Sequence, residues 1–163
     1  MSLRIIAHNI RSTYNVGAIL RSCDGFGIEI FYATGYTPYP TVVGDKRLPH
    51  ERAKLTRNIA KTALGAEQTV TVQHADNILE LMHGLKAEGF TIAALEQSDA
   101  SALLDGYHPA PKLALLLGEE VHGITPELLE ECDVTLEIPM IGRKESFNVS
   151  VATGIALYAL TTP

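Results

Sequence analysis

Ser146 and Asn148 stand two residues apart in the stretch Ile138-Pro139-Met140-Ile141-Gly142-Arg143-Lys144-Glu145-Ser146-Phe147-Asn148-Val149, between a short apolar run and a long one. A hydroxyl and an amide at such a junction can hydrogen-bond a ligand or simply cap a helix, and at this stretch alone both readings stand. Two further polar clusters follow apolar, strand-like runs: Asn9-x-Arg11-x-x-x-Asn15-x-Gly17-x-x-x-Arg21, and Gly118-x-Glu120-x-x-Gly123. Open α/β sheets place their ligands beyond the carboxyl ends of the strands, so three such clusters point to a shared site. Gly118 and Gly123 would let backbone approach a ligand closely, or would only make a turn.

Several chemistries have no anchor in these clusters. The turn after Leu117, Gly118-Glu119-Glu120-Val121-His122-Gly123, lacks the Lys-Ser/Thr of a P-loop and the Gly-x-Gly-x-x-Gly of a dinucleotide site. No Ser lies in a nucleophile-elbow context, and the His residues show no metal spacing. His122 has the chemistry of a base, but a lone loop His is more often structural or solvated. Cys23 and Cys132, far apart and without close Cys/His neighbours, read as small buried hydrophobes in a reducing compartment.

The elements that must position the clusters alternate in type. Strands are expected at Leu3 to Ala7, Ile28 to Ala33, Thr69 to Val72, Phe90 to Leu95, Leu113 to Leu117 and Val134 to Ile138. Helices are expected at Val16 to Phe26, Ala75 to Glu88, Thr125 to about Cys132, with Thr125 as capping hydroxyl, and Phe147 to Leu160. Continuous apolar runs such as Leu113 to Leu117 suit strands covered on both faces, which predicts an α/β fold with a parallel sheet and helices on both sides. Thr34 to Pro49, rich in Pro and Gly, reads as a long functional or mobile loop. The last helix, with Phe147, Val149, Val151, Ala152, Ile155, Ala156, Leu157, Ala159 and Leu160, is apolar nearly all round and calls for a partner subunit.

A chain of 163 residues suits a single domain, with no interdomain linker. No apolar run approaches the ~18 residues that cross a bilayer, and nothing at the start resembles a signal peptide; a cytoplasmic protein is expected. The net charge of −6 argues against nonspecific coating of nucleic acid. Charge is nevertheless segregated. Lys46, Arg47, Arg52, Lys54, Arg57 and Lys61 face only Glu51, which fits either a solvated helix face or a surface for phosphates.

The three motifs, in this order and ending in Ile138-Pro139-Met140 and Ser146-x-Asn148-Val149, resemble those of the SpoU (TrmH) family of RNA ribose methyltransferases, within the SPOUT superfamily. The resemblance covers essentially the whole chain. It departs at Phe147, where the family usually has Leu or Met, and in lacking the extra RNA-binding domain that many relatives carry.

What the resemblance implies is a SPOUT-type fold with a C-terminal trefoil knot, a homodimer, and S-adenosyl-L-methionine held in the knot, with no metal. It implies a cofactor pocket at Leu95, Glu96, Gly118, Ile138, Met140, Ser146, Phe147 and Asn148. It places the catalytic set at Arg21, Asn15, Glu120, Ser146 and Asn148, with Arg21 central and Glu120, Ser146 and Asn148 positioning loops and substrate. A guanidinium stays protonated, so Arg21 is expected to clamp a phosphate and stabilise the ribose oxygen as it becomes anionic. Asn15 and Arg21, six residues apart, do not share a helix face, so either Asn15 belongs to the turn that opens the helix or one of the two serves the other subunit's site. The implied partner is RNA, tRNA or rRNA, with a tRNA anticodon loop as first expectation; Arg11, Lys46, Arg47, Arg52, Lys54 and Arg57 are the expected contacts. The alternatives are a base methyltransferase and a non-catalytic dimer that binds RNA or cofactor.

Overall fold

The computed structural model describes residues 1–162. Its elements in chain order are β1 (Ser2–His8), α1 (Thr13–Gly25), β2 (Ile30–Thr34), α2 (Pro49–Ala63), α3 (Ala66–Thr69), β3 (Thr71–Ala75), α4 (Ile78–Ala87), β4 (Thr91–Leu95), β5 (Ala102–Leu103), β6 (Lys112–Leu117), α5 (Pro126–Glu130), β7 (Val134–Glu137) and α6 (Val149–Thr161). Among the described residues the strands form one sheet in the order β3-β2-β1-β6-β4-β7-β5, and every pairing is parallel. β6 lies between β1 and β4, with Leu3 to Ala7 registered on Leu113 to Leu117. Leu113 to Leu117 of this central strand are all buried, as cover on both faces requires.

Side chains alternate across the sheet with the period of a strand. Ile5, Ala7, Leu113, Leu115 and Leu117 join one core with Val16, Ile19, Leu20 and Cys23 of α1, Ile59 of α2 and Ala156, Leu157 and Leu160 of α6. Ile6, Ile92, Ala114 and Leu116 join the other with Met82 and Leu85 of α4 and Leu128 of α5. Each fully buried Leu or Ile contributes about 1.5–3 kcal/mol relative to exposure. Burial also pushes the Cys23 thiol up to about 12, leaving it an inert hydrophobe, whereas Cys132 is only half-buried.

Local chemistry sets several boundaries. Ser12 caps α1 by accepting the Asn15 N–H at 3.2 Å, and Asn77 caps α4 through the N–H groups of Leu79 and Glu80. Thr125 stands at the N-cap of α5 but makes no side-chain cap bond, so the expected capping hydroxyl is not used; Pro126 starts that helix. The basic segment after the long loop is helical, as α2, and begins with Pro49.

The loop before α2 is internally tied. Arg47 lies 3.5 Å over the Tyr39 ring, donates to the buried Asp45 carboxylate, and donates to the carbonyls of Tyr39 and Pro40 at 3.0 Å each. Arg52 donates to the Asp45 carbonyl at 2.8 Å. His74 of β3 stacks on Tyr39 with centroids 4.5 Å apart. No helix among the described residues is long and apolar enough to cross a membrane.

Candidate active site

The chain after β6 doubles back on itself. Glu119 and Gly123 exchange backbone hydrogen bonds of 3.2 and 3.0 Å, which brings Gly118 against Gly123; a side chain at Gly118 would meet the Gly123 carbonyl carbon at 2.6 Å. Gly123 adopts φ 69°, and a side chain there would run into the Glu96 carboxylate. That carboxylate accepts the N–H groups of Ile124 at 3.0 Å and Gln97 at 2.9 Å, so the ends of β4 and β6 are joined through one side chain. The glycines therefore serve close packing between loops as well as turning the chain.

These loops and the segment after β7 enclose a cavity of about 670 Å³. Leu95, Leu117, Ile138, Phe147 and Val149 supply apolar wall; Glu96, Glu119, Glu120 and Glu145 supply carboxylates; Gln97, His122, Ser146 and Asn148 add further polar side chains, and Gly118 and Gly123 bring backbone to the wall. Neither Lys nor Arg lines it. A lining of this kind opposes a phosphorylated ligand and suits a cationic one with an apolar body. Of the expected cofactor residues, Leu95, Glu96, Gly118, Ile138, Ser146, Phe147 and Asn148 line the cavity, whereas Met140 does not.

At the cavity wall, the three motifs meet in one chain of hydrogen bonds. The Glu120 carboxylate accepts the backbone N–H groups of Arg11 at 3.1 Å and Ser12 at 3.3 Å and the Asn15 amide at 3.1 Å. Asn15 then accepts through Oδ1 from Asn148 Nδ2 at 3.2 Å, and Asn148 Oδ1 caps α6 through the Ser150 N–H at 2.9 Å. Partial burial alone would raise the Glu120 carboxyl, but the donors from Arg11, Asn15 and Ser12 outweigh it and hold the group below the ordinary carboxylate range. Two helix starts, α1 and α6, are thus fixed to the loop after β6 by side chains lying 105 and 133 residues apart in sequence.

Arg21 is elsewhere. It lies on a different face of α1 from Asn15, exposed, in a second depression with Ala18, Ser22, Lys61, Thr62 and Leu64. One protomer therefore does not bring Arg21 into the cavity wall with Ser146 and Asn148. Among the expected RNA contacts, Lys46, Lys54 and Arg57 are exposed, and Arg11 is exposed with its guanidinium 3.6 Å from Glu119. Arg47 and Arg52 differ from these: their guanidinium groups tie down the loop before α2, so Arg47 in particular is a structural clamp. Spacing could not separate these two from the free cations, since only Asp45 two residues before Arg47 hinted at a local pair.

The model of the SpoU rRNA Methylase family matches residues 2–158. This chain belongs to that family. It is 33% identical over 156 residues to a tRNA (guanosine(18)-2′-O)-methyltransferase of Aquifex aeolicus, a match covering 96% of this chain and 67% of that one. Among solved structures, the A. aeolicus TrmH/SpoU tRNA modifying enzyme superposes with a TM-score of 0.79 at 28% identity, over 97% of this chain and 73% of the other. An AdoMet-bound rRNA methyltransferase from Sinorhizobium meliloti superposes with a TM-score of 0.80 at 21% identity, over 97% of this chain and 55% of that one, a likeness of fold.

Proposed function

We propose that this chain transfers a methyl group from S-adenosyl-L-methionine to a ribose 2′-hydroxyl of structured RNA, with tRNA the favoured substrate. The observation that carries the reading is the Glu120–Asn15–Asn148 network, which in a SpoU-family chain locks two helix starts against a carboxylate-lined cavity free of Lys and Arg. The similarity to the A. aeolicus tRNA enzyme supports tRNA over rRNA. The cofactor, when bound, supplies an electrophilic methyl on a cationic sulfonium. Glu96, Glu119, Glu120 and Glu145 favour that charge, Leu95, Leu117 and Ile138 accept an apolar body, and the backbone at Gly118 is free to hydrogen-bond close to it. Ser146 and Asn148, at the start of α6, orient the incoming ribose.

Arg21 stabilises the ribose oxygen as charge develops and holds the adjacent phosphate, an effect that is strongest where water is excluded. Its separation from the cavity within one protomer supports a homodimer in which each Arg21 serves the partner's site. The stripe of Val151, Ile155 and Tyr158, left exposed on α6, supports the same assembly. The packing of the segments after β4, β6 and β7 around one cavity supports a trefoil knot formed by the chain end. The setting is cytoplasmic.

The test is a methylation assay on total RNA with the modified nucleotide mapped by mass spectrometry, run beside calorimetry with the cofactor. Wild type methylates ribose, whereas Arg21→Ala binds cofactor normally and loses at least about a hundredfold in rate. A methyl on a base, or near-normal rates in the variant, would overturn the assignment.

A further inference from the structure

Tyr36 presents an exposed ring on an unusually well-fastened piece of backbone. The residue before it, Gly35, takes φ 62°, and any side chain there would collide with the Asn9 amide. Asn9 itself takes φ 56°, a left-handed conformation that costs a non-glycine residue of order 1 kcal/mol, and its Oδ1 accepts the Tyr36 N–H at 3.2 Å. The residue after it, Thr37, is only 2% exposed. The Thr37 hydroxyl accepts the Ile10 N–H at 3.0 Å and donates to the Ala7 carbonyl at 2.9 Å. The backbone at Tyr36 is thereby fixed from both sides, yet the side chain stays 50% exposed. Burial of that ring does not account for the strained mount, since half of it remains in water.

The ring has a cationic neighbour. The Arg11 side chain is 75% exposed, and its guanidinium lies 5.8 Å from the Tyr36 centroid and 3.6 Å from Glu119, which lines the cavity. Tyr36, Arg11 and Glu119 thus make a ridge from an aromatic face to the cavity mouth, anchored below by the Arg11 N–H on Glu120. Unpaired bases are held in this way, by stacking on an aromatic ring or a guanidinium plane at little cost in sequence preference.

We propose that Tyr36, with Arg11 beside it, is a stacking platform for an unpaired nucleobase next to the methylated nucleotide. This rests on the RNA reading above. A flipped or loop nucleotide entering the cavity exposes its neighbour's face, and the platform takes up that face while Arg11 neutralises the adjoining phosphate. Specificity for single-stranded loops over duplex follows, because a base paired and stacked within a helix cannot cover the ring.

The full chain carrying Tyr36→Ala, Tyr36→Phe or Arg11→Ala is titrated by fluorescence anisotropy with total tRNA and with a labelled unstructured oligoribonucleotide, at several salt concentrations. Cofactor affinity is measured calorimetrically and mass by sedimentation. Tyr36→Ala weakens binding to both RNAs about 10- to 100-fold with the salt slope unchanged, Tyr36→Phe binds as wild type, and Arg11→Ala lowers the slope by about one contact. Cofactor affinity and mass stay as in wild type. Unchanged RNA affinity in Tyr36→Ala overturns the platform alone, provided wild type binds and methylates RNA. If Tyr36→Ala instead halves the mass, the ring belongs to a subunit contact and the platform is overturned. A wild-type chain that neither binds nor methylates RNA overturns both readings.

Discussion

Glu120 gathers three donors of the segment from Arg11 to Asn15 onto one carboxylate, and its charge is what lets it do so. Two backbone N–H groups and the Asn15 amide all point at it, so both oxygens act as acceptors. In Glu120→Gln one of those oxygens becomes an NH₂ that faces donors. Losing hydrogen bonds to a charged acceptor costs about 1.5–3 kcal/mol, which predicts a 10- to 100-fold fall in kcat/KM through misplacement of Asn15 and Asn148, with circular dichroism unchanged. Because the folded carboxyl titrates below its unfolded value of about 4.3, its stabilisation is fully present above that pH and is lost as pH falls through the folded value. The gap in melting temperature between wild type and Glu120→Gln is therefore widest near neutral pH and narrows below pH about 4; a gap that widens in acid would remove Glu120 from this role. The motif residues were legible in sequence because each is a polar side chain closing an apolar run. Their partnership was not, since a bond between residues 133 positions apart, Asn15 and Asn148, leaves no local pattern.

At the scale of elements, the loop from Gly35 to Leu48 shows how a segment without secondary structure is held still. Arg47 stacks on Tyr39 and occupies its donors on Asp45 and two carbonyls, while the Arg47 guanidinium holds the Asp45 carboxyl far below the usual range. Arg47→Ala strands a buried carboxylate and loosens the run into α2, which predicts faster proteolytic nicking at residues 39–48 and a melting temperature lower by several degrees. A nicking rate equal to wild type would show that the Tyr39–His74 stack alone suffices. Most strands were legible as apolar runs and the α1, α4 and α6 helices from apolar period, because burial on one or two faces imposes them, but the strand expected at Thr69 to Val72 runs from Thr71 to Ala75, since Thr69 ends α3. β5 was not: two exposed residues, Ala102 and Leu103, pair with β7 through backbone alone and carry no periodic signal. Helix ends moved by a few residues, as at α4, which starts at Ile78 after its Asn77 cap and not at Ala75.

Over the whole molecule, charge is sorted: carboxylates line the cavity, and the exposed cations Lys54, Arg57 and Lys61 recur on α2 at positions three and four apart, ending beside Arg21. That stripe suits an RNA backbone led toward Arg21, and reversing Lys54 and Arg57 to Glu should reduce the slope of log affinity against log salt by about 1 to 2. In the proposed dimer the RNA would then be bound across two chains, because Arg21 and the cavity are apart in one chain. Subunit mixing separates the two geometries. Arg21→Ala keeps an intact cavity and Ser146→Ala keeps an intact arginine, so each homodimer is inactive. If the arginine acts across the interface, a heterodimer of the two contains one complete site, and an equal mixture regains about a quarter of wild-type activity. If it acts within its own chain, no mixture regains any. Ile155→Glu supplies the physical control, because a charge placed in the exposed Val151–Ile155–Tyr158 stripe should dissociate the dimer while α6 keeps its buried face of Ala156, Leu157 and Leu160. Recovery in the mixture must vanish when both parents carry that substitution; recovery that persists among monomers would place the completed site somewhere other than the subunit boundary.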